Sequence, residues 1–161
     1  MITYQSIDEL VETAMSEGKN ISDVVINQQA MEQHCPVDEL YQQMARNLEV
    51  MRESVQSGVA SKHRSPSGLS GGDAHKLLEA IKKAQTVGGT TLGMALVRAL
   101  AVTEVNATMG RIVAAPTAGS CGILPAAILT VMDTKEIPEP RAIMALFTAG
   151  GIGLVISRPA T

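Results

Sequence analysis

Apolar and polar positions alternate with the period of an α-helix along the first sixty residues. Three helices are predicted, each opened by capping residues, and the first and third are closed by a glycine. The first begins after Ser6 and ends at Gly18, the second begins at Ile21, and the third begins at 36–39 and ends at Gly58. Their inward positions are Ile7, Leu10, Val11 and Ala14; then Val24, Val25, Gln28 and Met31; and then Leu40, Met44, Leu48, Met51 and Val55.

The composition changes near residue 86, beyond which the chain is more apolar. A loop rich in Ser, Gly and Pro at 61–72 leads into a helix that starts at Asp73. Further helices are predicted at Met94–Met109, which we expect to be largely buried, at about Leu124–Met132, and at Arg141–Val155. No segment alternates with period two, and no internal repeat is found. The predicted fold class is therefore all-α, with polar helices at 1–60, a motif loop at 61–73 and core helices at 74–161.

Composition and charge narrow the function classes. The chain has 161 residues, no Trp, one Phe, two Tyr and nine Met among 45% hydrophobic residues. Such small and flexible apolar side chains suit closely packed helices. A net charge of −3 and a pI near 5.6 argue against a nucleic-acid partner or an anionic membrane surface.

The longest uncharged stretches, Ile112–Met132 and Ala142–Ser157, are interrupted or too short for the ~20 continuous apolar residues that span a bilayer. They predict buried core helices and no membrane association. The first residues show no secretory signal. Two cysteines, Cys35 and Cys121, do not make a disulfide framework, so the expected location is the cytoplasm.

Cys121 is the sharpest candidate for chemistry, because glycines lie close to it on both sides, in the run 119–122 that follows Pro116. Glycine leaves room for a ligand, which a packed core thiol does not need. If the loop leads into the N-terminus of a helix, the helix dipole would lower the pKa of the Cys121 thiol. The alternative is a buried structural cysteine, since free Cys is among the most buried residue types.

Other polar residues allow weaker interpretations. The loop 67–73 is either an anion-binding cradle or an ordinary loop with Asp73 as helix cap. Cys35 follows His34 but lacks the spacing of a metal site. His63 and His75 suit acid–base chemistry, but neither has the context of a catalytic triad, and solvated positions explain them better.

Two further polar residues, Glu104 and Asn106, lie within an apolar helix, so they either tie it to the Cys121 loop or touch a ligand. Arg111 and Lys76 either neutralise a substrate carboxylate or face water.

Three segments together, 69–77, 104–110 and 116–122, resemble the alpha chain of the bacterial iron–sulfur-dependent L-serine dehydratase in order and spacing. The resemblance covers about residues 7–155. It implies an all-helical chain that removes the hydroxyl of L-serine as water by β-elimination. The resulting aminoacrylate becomes pyruvate and ammonia. It also implies an oxygen-sensitive [4Fe-4S] cluster in place of pyridoxal phosphate, with one iron acting as the Lewis acid.

The same resemblance implies roles for particular residues. The cluster cysteine of the family corresponds to Cys121. Substrate or cluster contacts are expected at Ser70, Gly71, Gly72, Asn106, Thr117 and Ser120. No residue is assigned as the catalytic base.

The chain departs from this family in its length. Family alpha chains are roughly twice as long, and their second half carries a Gly-Cys-Gln segment that supplies further ligands. This chain reads Ile156-Ser157-Arg158-Pro159-Ala160-Thr161 where the family continues. We therefore expect an N-terminal half that is inactive alone, has an incomplete or absent cluster, and needs the C-terminal half and a beta chain as partners. An exposed apolar C-terminal helix would also favour a homo-oligomer.

Two alternatives stay open at this point. One is a non-catalytic helical module that binds a small anion or a protein partner, with Cys121 as a core thiol. The other is an enzyme of the same scaffold that eliminates from a different β-substituted amino acid.

Overall fold

The computed structural model describes residues 4–61, 64–115 and 117–157. Within these residues it has seven α-helices, one 3-10 turn and no strand, which confirms the all-α prediction. The helices are α1 (Ile7–Glu17), α2 (Ile21–Gln33), α3 (Val37–Ala60), α4 (Asp73–Lys82), α5 (Gly89–Ala107), α6 (Ile123–Lys135) and α7 (Glu139–Ile156), and the 3-10 turn is Ala118–Ser120.

Local capping residues fix the ends of the first two helices, as predicted. The Ser6 hydroxyl accepts a hydrogen bond from the Glu9 N–H at 3.1 Å, and Gly18 ends α1 in the left-handed conformation with φ of 61°. At the start of α2 the Asn20 N–H donates to the Asp23 carboxylate at 3.1 Å. These contacts satisfy backbone groups that a helix end leaves unpaired.

Gly58 does not end the third helix, contrary to the prediction. The helix α3 continues to Ala60, and Gly58 lies inside it. A Cβ atom at Gly58 would collide with the backbone carbonyl of Ala101 in α5. The glycine is therefore explained by the close approach of two helix backbones, and the helix tolerates its lower propensity.

The helix α5 starts at Gly89, earlier than the predicted Met94, and only part of its surface is buried. Leu92, Leu96 and Leu100 are 56%, 49% and 36% exposed. The expectation of a largely buried helix is therefore wrong for this side of α5. Periodicity shows that a helix forms, but it cannot show whether each apolar side has a partner within the chain.

Two compact units make up the structure. One contains residues up to Arg46 together with those from Pro138 onward, and the other is Asn47–Ile137. In the first unit α2 packs against α1 and α7. In the second, α5 packs against α4 and α6. The unit boundaries do not follow the composition change near residue 86. The assignment of 1–161 to the N-terminal part of a larger helical domain stays a prediction.

One helix among the described residues, α7, is long and apolar enough to cross a membrane when judged by length and composition alone. Core helices of soluble proteins share both properties. Its buried side is formed by Ala142, Ile143, Leu146, Phe147 and Gly151. Only 28% of the helix is buried, so the expectation of a buried core helix holds for one side of α7.

Candidate functional site

Two polar side chains near the C-terminal end of α5 hold two of the motif loops. Glu104 binds the start of α4, and the Asn106 side-chain amide donates to the Ala118 carbonyl at 3.1 Å. Asn106 therefore ties α5 to the Cys121 loop, which is one of the two roles expected for this pair. Glu104 ties α5 to the other loop, a pairing that the sequence reasoning did not anticipate.

The contact of Glu104 involves three consecutive backbone N–H groups. Gly72, Asp73 and Ala74 donate to its carboxylate at 3.0, 2.6 and 3.1 Å. Gly71 and Gly72 have φ of 126° and 81°, which only glycine adopts readily. These conformations turn the N–H groups toward the carboxylate. Glu104 is 6% exposed, so a buried negative charge meets the positive end of the α4 dipole.

The predicted anion cradle is thus partly occupied by a carboxylate of the chain itself. Asp73, expected as a possible cap, is the first residue of α4; it is exposed and pairs with Lys76 at 2.9 Å. Ser70 is half-buried, and its N–H donates to the Ser65 hydroxyl at 3.3 Å. Substrate binding by Ser70, Gly71 and Gly72 stays a prediction.

The second motif loop is a tight turn closed by two hydroxyl groups. The hydroxyl oxygens of Thr117 and Ser120 lie 3.1 Å apart, and Ser120 donates to the Ala115 carbonyl at 3.1 Å. Thr117 is exposed and Ser120 is half-buried. Both hydroxyls already have partners within the turn, so they are oriented before any ligand arrives. Their role in binding stays a prediction. Pro116, at the start of this loop, lies outside the described residues.

Cys121 is 1% exposed, and burial raises the pKa of its thiol. The expectation of a thiol with lowered pKa is therefore wrong for this chain, because the desolvation of Cys121 by burial outweighs the backbone hydrogen bond that favours its thiolate. Gly122 does not make room beside the sulfur; a Cβ atom there would lie 2.5 Å from the Ala99 carbonyl oxygen. It permits close approach of α6 to α5. A Cβ at Gly119 would meet only the Thr117 hydroxyl, at 3.8 Å.

The two loops do not converge on one pocket of this chain. Residues two apart on a helix project in different directions, so Glu104 and Asn106 hold their loops on different sides of α5. Two of the surface cavities among the described residues have volumes of about 300 and 470 Å³. The smaller is lined by α3, α5 and α6, and includes Arg98 and Asp133; the larger includes Arg141. Neither cavity is lined by a predicted site residue.

Arg98 is a buried charge whose partners sequence reasoning missed. Its side chain is 12% exposed, donates to the Thr130 hydroxyl at 2.7 Å and pairs with Asp133. The signal was available, because an arginine within an apolar helix needs an acceptor nearby. The contact joins α5 to α6.

The remaining polar candidates lie at the end of α2, on α4 and in the segment after α5. His34 caps α2 in the left-handed conformation, and His75 is half-buried on α4. Arg111 is exposed and lies 4.0 Å from Glu53. His63 and residues 158–161 lie outside the described residues.

The residues present do not complete an iron–sulfur cluster. Such clusters ordinarily need three or four thiolates, and the chain has two cysteines. Cys121 lies in Asn47–Ile137, whereas Cys35 belongs to the other unit. Within the described ranges no group of three His, Cys, Asp or Glu side chains is arranged to hold a metal ion. Cys121 can supply one ligand at most, so any cluster requires ligands from elsewhere.

Comparison with known proteins adds an independent line of evidence. A sequence model of the family described as serine dehydratase alpha chain matches residues 16–161. A Bacillus subtilis protein described as a probable L-serine dehydratase, alpha chain, is 37% identical over 158 residues, which cover 98% of this chain and 52% of that protein.

Two further relatives carry similar descriptions. The L-serine dehydratase alpha chain of Peptoniphilus asaccharolyticus is 29% identical over 95% of this chain and 52% of its own length. L-serine dehydratase 2 of Escherichia coli is 31% identical over 93% of this chain and 34% of its own length. The chain therefore spans about half the length of the alpha-chain relatives it matches.

Proposed function

Because this chain belongs to the serine dehydratase alpha-chain family, we propose that it forms part of an L-serine ammonia-lyase. The assembled enzyme would convert L-serine to pyruvate and ammonia by β-elimination. The observation that carries the proposal is the family match over 16–161, which contains all three motif segments. The structure supports it by attaching the loops at 70–74 and 117–120 to one end of α5.

The proposed role of this chain is to position and bind the amino acid. The Thr117 and Ser120 hydroxyls form a fixed pair, 3.1 Å apart, whose remaining lone pairs can accept a hydrogen bond from a hydroxyl or an ammonium group of an amino acid. Asn106 keeps their turn in place through the Ala118 carbonyl. The Ser70 hydroxyl and the backbone of Gly71 and Gly72 belong to the loop that Glu104 fixes on a different side of α5.

The cofactor proposed for the assembly is a [4Fe-4S] cluster, without pyridoxal phosphate. Since this chain lacks the full ligand set, we propose that Cys121 provides one ligand and that the others come from outside the chain. The raised pKa of Cys121 describes the chain without metal; iron binding to a thiol displaces its proton. It follows that the chain alone should be inactive.

The proposed partners are L-serine, the second half of the alpha chain and a beta chain. The proposed location is the cytoplasm. A homo-oligomer is also compatible with the exposed apolar residues on α5, α6 and α7.

Anaerobic reconstitution tests the proposal. The chain would be co-expressed with a beta chain and with the part of the Bacillus subtilis alpha chain that it does not match, then supplied with iron and sulfide. We expect pyruvate from L-serine and bound iron, both of which are lost in Cys121→Ala. Cys35→Ala is the matched control and should retain both. Activity that survives Cys121→Ala in a complete assembly would refute the ligand role.

A second candidate is a non-catalytic helical module that binds another protein. The exposed leucines on α5 favour it, and so does the burial of Cys121. An assembly that forms but yields no pyruvate from L-serine would support this candidate. The same assay with other β-substituted amino acids would separate this non-catalytic candidate from an enzyme that eliminates from a substrate other than L-serine.

A further inference from the structure

Two neighbouring helices expose apolar side chains at every fourth position. On α5 these are Leu92, Leu96 and Leu100, which are 56%, 49% and 36% exposed. On α6, Ile123 and Val131 are 70% and 49% exposed, and Ala127 lies exposed between them. Residues four apart lie on the same side of a helix, so each set forms a continuous stripe.

The packing of α5 on α6 places the two stripes on one surface. Ala118, which precedes α6, accepts a hydrogen bond from Asn106 near the end of α5, whereas Asp133, near the end of α6, pairs with the Arg98 side chain much earlier in α5. The helices therefore run antiparallel. Successive residues of an α-helix are rotated by 100° about the helix axis. When this rotation is counted from the contacts between α5 and α6, both stripes lie on the same side of the helix pair. We name the six residues of the two stripes the α5–α6 apolar face.

Such a surface on two packed helices typically marks an interaction site. We propose that the α5–α6 apolar face is the docking surface for the second half of a serine dehydratase alpha chain. This inference rests on the proposed function. Two observations select this occupant: the chain spans about half of its alpha-chain relatives, and among the residues that the structure describes Cys121 belongs to no group of three possible metal ligands.

The position of the face connects these observations. Ile123, at one end of the face, follows Cys121 by two residues, and Gly122 between them contacts α5 at Ala99. A polypeptide seated on the face would therefore contact the start of α6, two residues after Cys121 in the chain. A second copy of this chain would bring only another Cys121 and Cys35 to the complex.

Co-purification tests the inference without depending on catalysis. A tagged form of this chain would be co-expressed with the part of the Bacillus subtilis alpha chain that it does not match. The unchanged chain should retain that polypeptide. Leu96→Glu and, separately, Val131→Glu should each reduce its recovery at least about tenfold, because charges at the centre of an apolar interface disrupt binding. Val87→Glu, at an exposed valine before α5, is the matched control and should bind normally.

Each result has a defined meaning. Circular dichroism of the variants alone should show unchanged helix content, since both positions are exposed. Failure of the unchanged chain to bind, or equal binding by Leu96→Glu, overturns the inference. If the chain alone forms a dimer and Leu96→Glu dissociates it, the face belongs to a second copy. If the chain binds lipid vesicles and Leu96→Glu abolishes that binding, the face belongs to lipid. Either result overturns the inference. Binding through the face, together with no pyruvate from the complete assembly with a beta chain, iron and sulfide, refutes the proposed function and leaves the inference intact.

Discussion

Removal of the Glu104 carboxylate should destabilise the chain more than removal of an exposed glutamate. In Glu104→Ala the N–H groups of Gly72, Asp73 and Ala74 lose their acceptor in a buried setting. A hydrogen bond to a charged group contributes about 1.5–3 kcal/mol, and the three share one carboxylate, so the bonds are not additive. We expect a loss of about 3–5 kcal/mol, similar to the loss of one partner of a buried pair.

The assay is chemical and thermal unfolding followed by circular dichroism. The expected loss corresponds to a decrease in Tm of roughly 6–20 °C for a chain of this size. Glu104→Gln keeps one oxygen acceptor and should lose about half as much free energy. Glu79→Ala is the matched control: Glu79 pairs with Lys82 at an exposed position, where solvent screens the ion pair, so its loss should change the Tm much less than Glu104→Ala.

Hydrogen exchange localises the effect. In Glu104→Ala the amide protons of Gly72, Asp73 and Ala74 should exchange faster than in the unchanged chain, because their hydrogen bonds are gone. A loss of free energy below about 1 kcal/mol, with unchanged exchange at these three amides, would show that Glu104 does not hold the loop and would refute the reasoning.

The remaining predictions concern packing and thiol reactivity. Gly58→Ala should destabilise the chain by about 2 kcal/mol or more, because the added Cβ collides with Ala101. Gly150→Ala should be neutral or stabilising by up to about 1 kcal/mol, because a Cβ at Gly150 meets nothing within 4 Å. A similar Tm for the two variants would contradict this prediction. Iodoacetamide should modify half-buried Cys35 at least about tenfold faster than Cys121, as measured by mass spectrometry. Burial raises the pKa of the Cys121 thiol, so as pH rises the unfolded chain loses the thiol proton before the folded chain does. The free energy of unfolding should therefore fall as pH rises above about 8.5, the ordinary pKa of cysteine. Cys121→Ala should remove the part of this decrease that is due to Cys121.

Local signals were sufficient to predict the helices and several of their ends. The Ser6 cap and the Gly18 terminator act through residues three or four positions away, so the sequence pattern contains all the information they need. The prediction that Gly58 ends α3 is wrong because the role of this glycine depends on Ala101, which is distant in sequence. A glycine that ends a helix and one that admits a neighbouring helix look alike until the packing is known.

The candidate site shows the same limit. That Glu104 and Asn106 need partners followed from their apolar surroundings, and Asn106 does reach the Cys121 loop. The partner of Glu104 could not be deduced, because it consists of backbone N–H groups that no side-chain pattern reveals. Gly122 suggested open space, whereas the structure uses it for contact with Ala99. Burial of Cys121 depends on the same long-range packing.

The order of the two compact units along the chain has a consequence for folding. Residues 47–137 form one unit from a continuous segment, whereas the other unit joins the first 46 residues to those from Pro138 onward. During synthesis the continuous unit has all its residues before α7 emerges from the ribosome. The discontinuous unit must wait for α7 to pack on α2, and this contact closes a long loop. If 47–137 folds first, it shortens that loop and lowers its entropic cost, so the chain termini should be the last parts to acquire native packing.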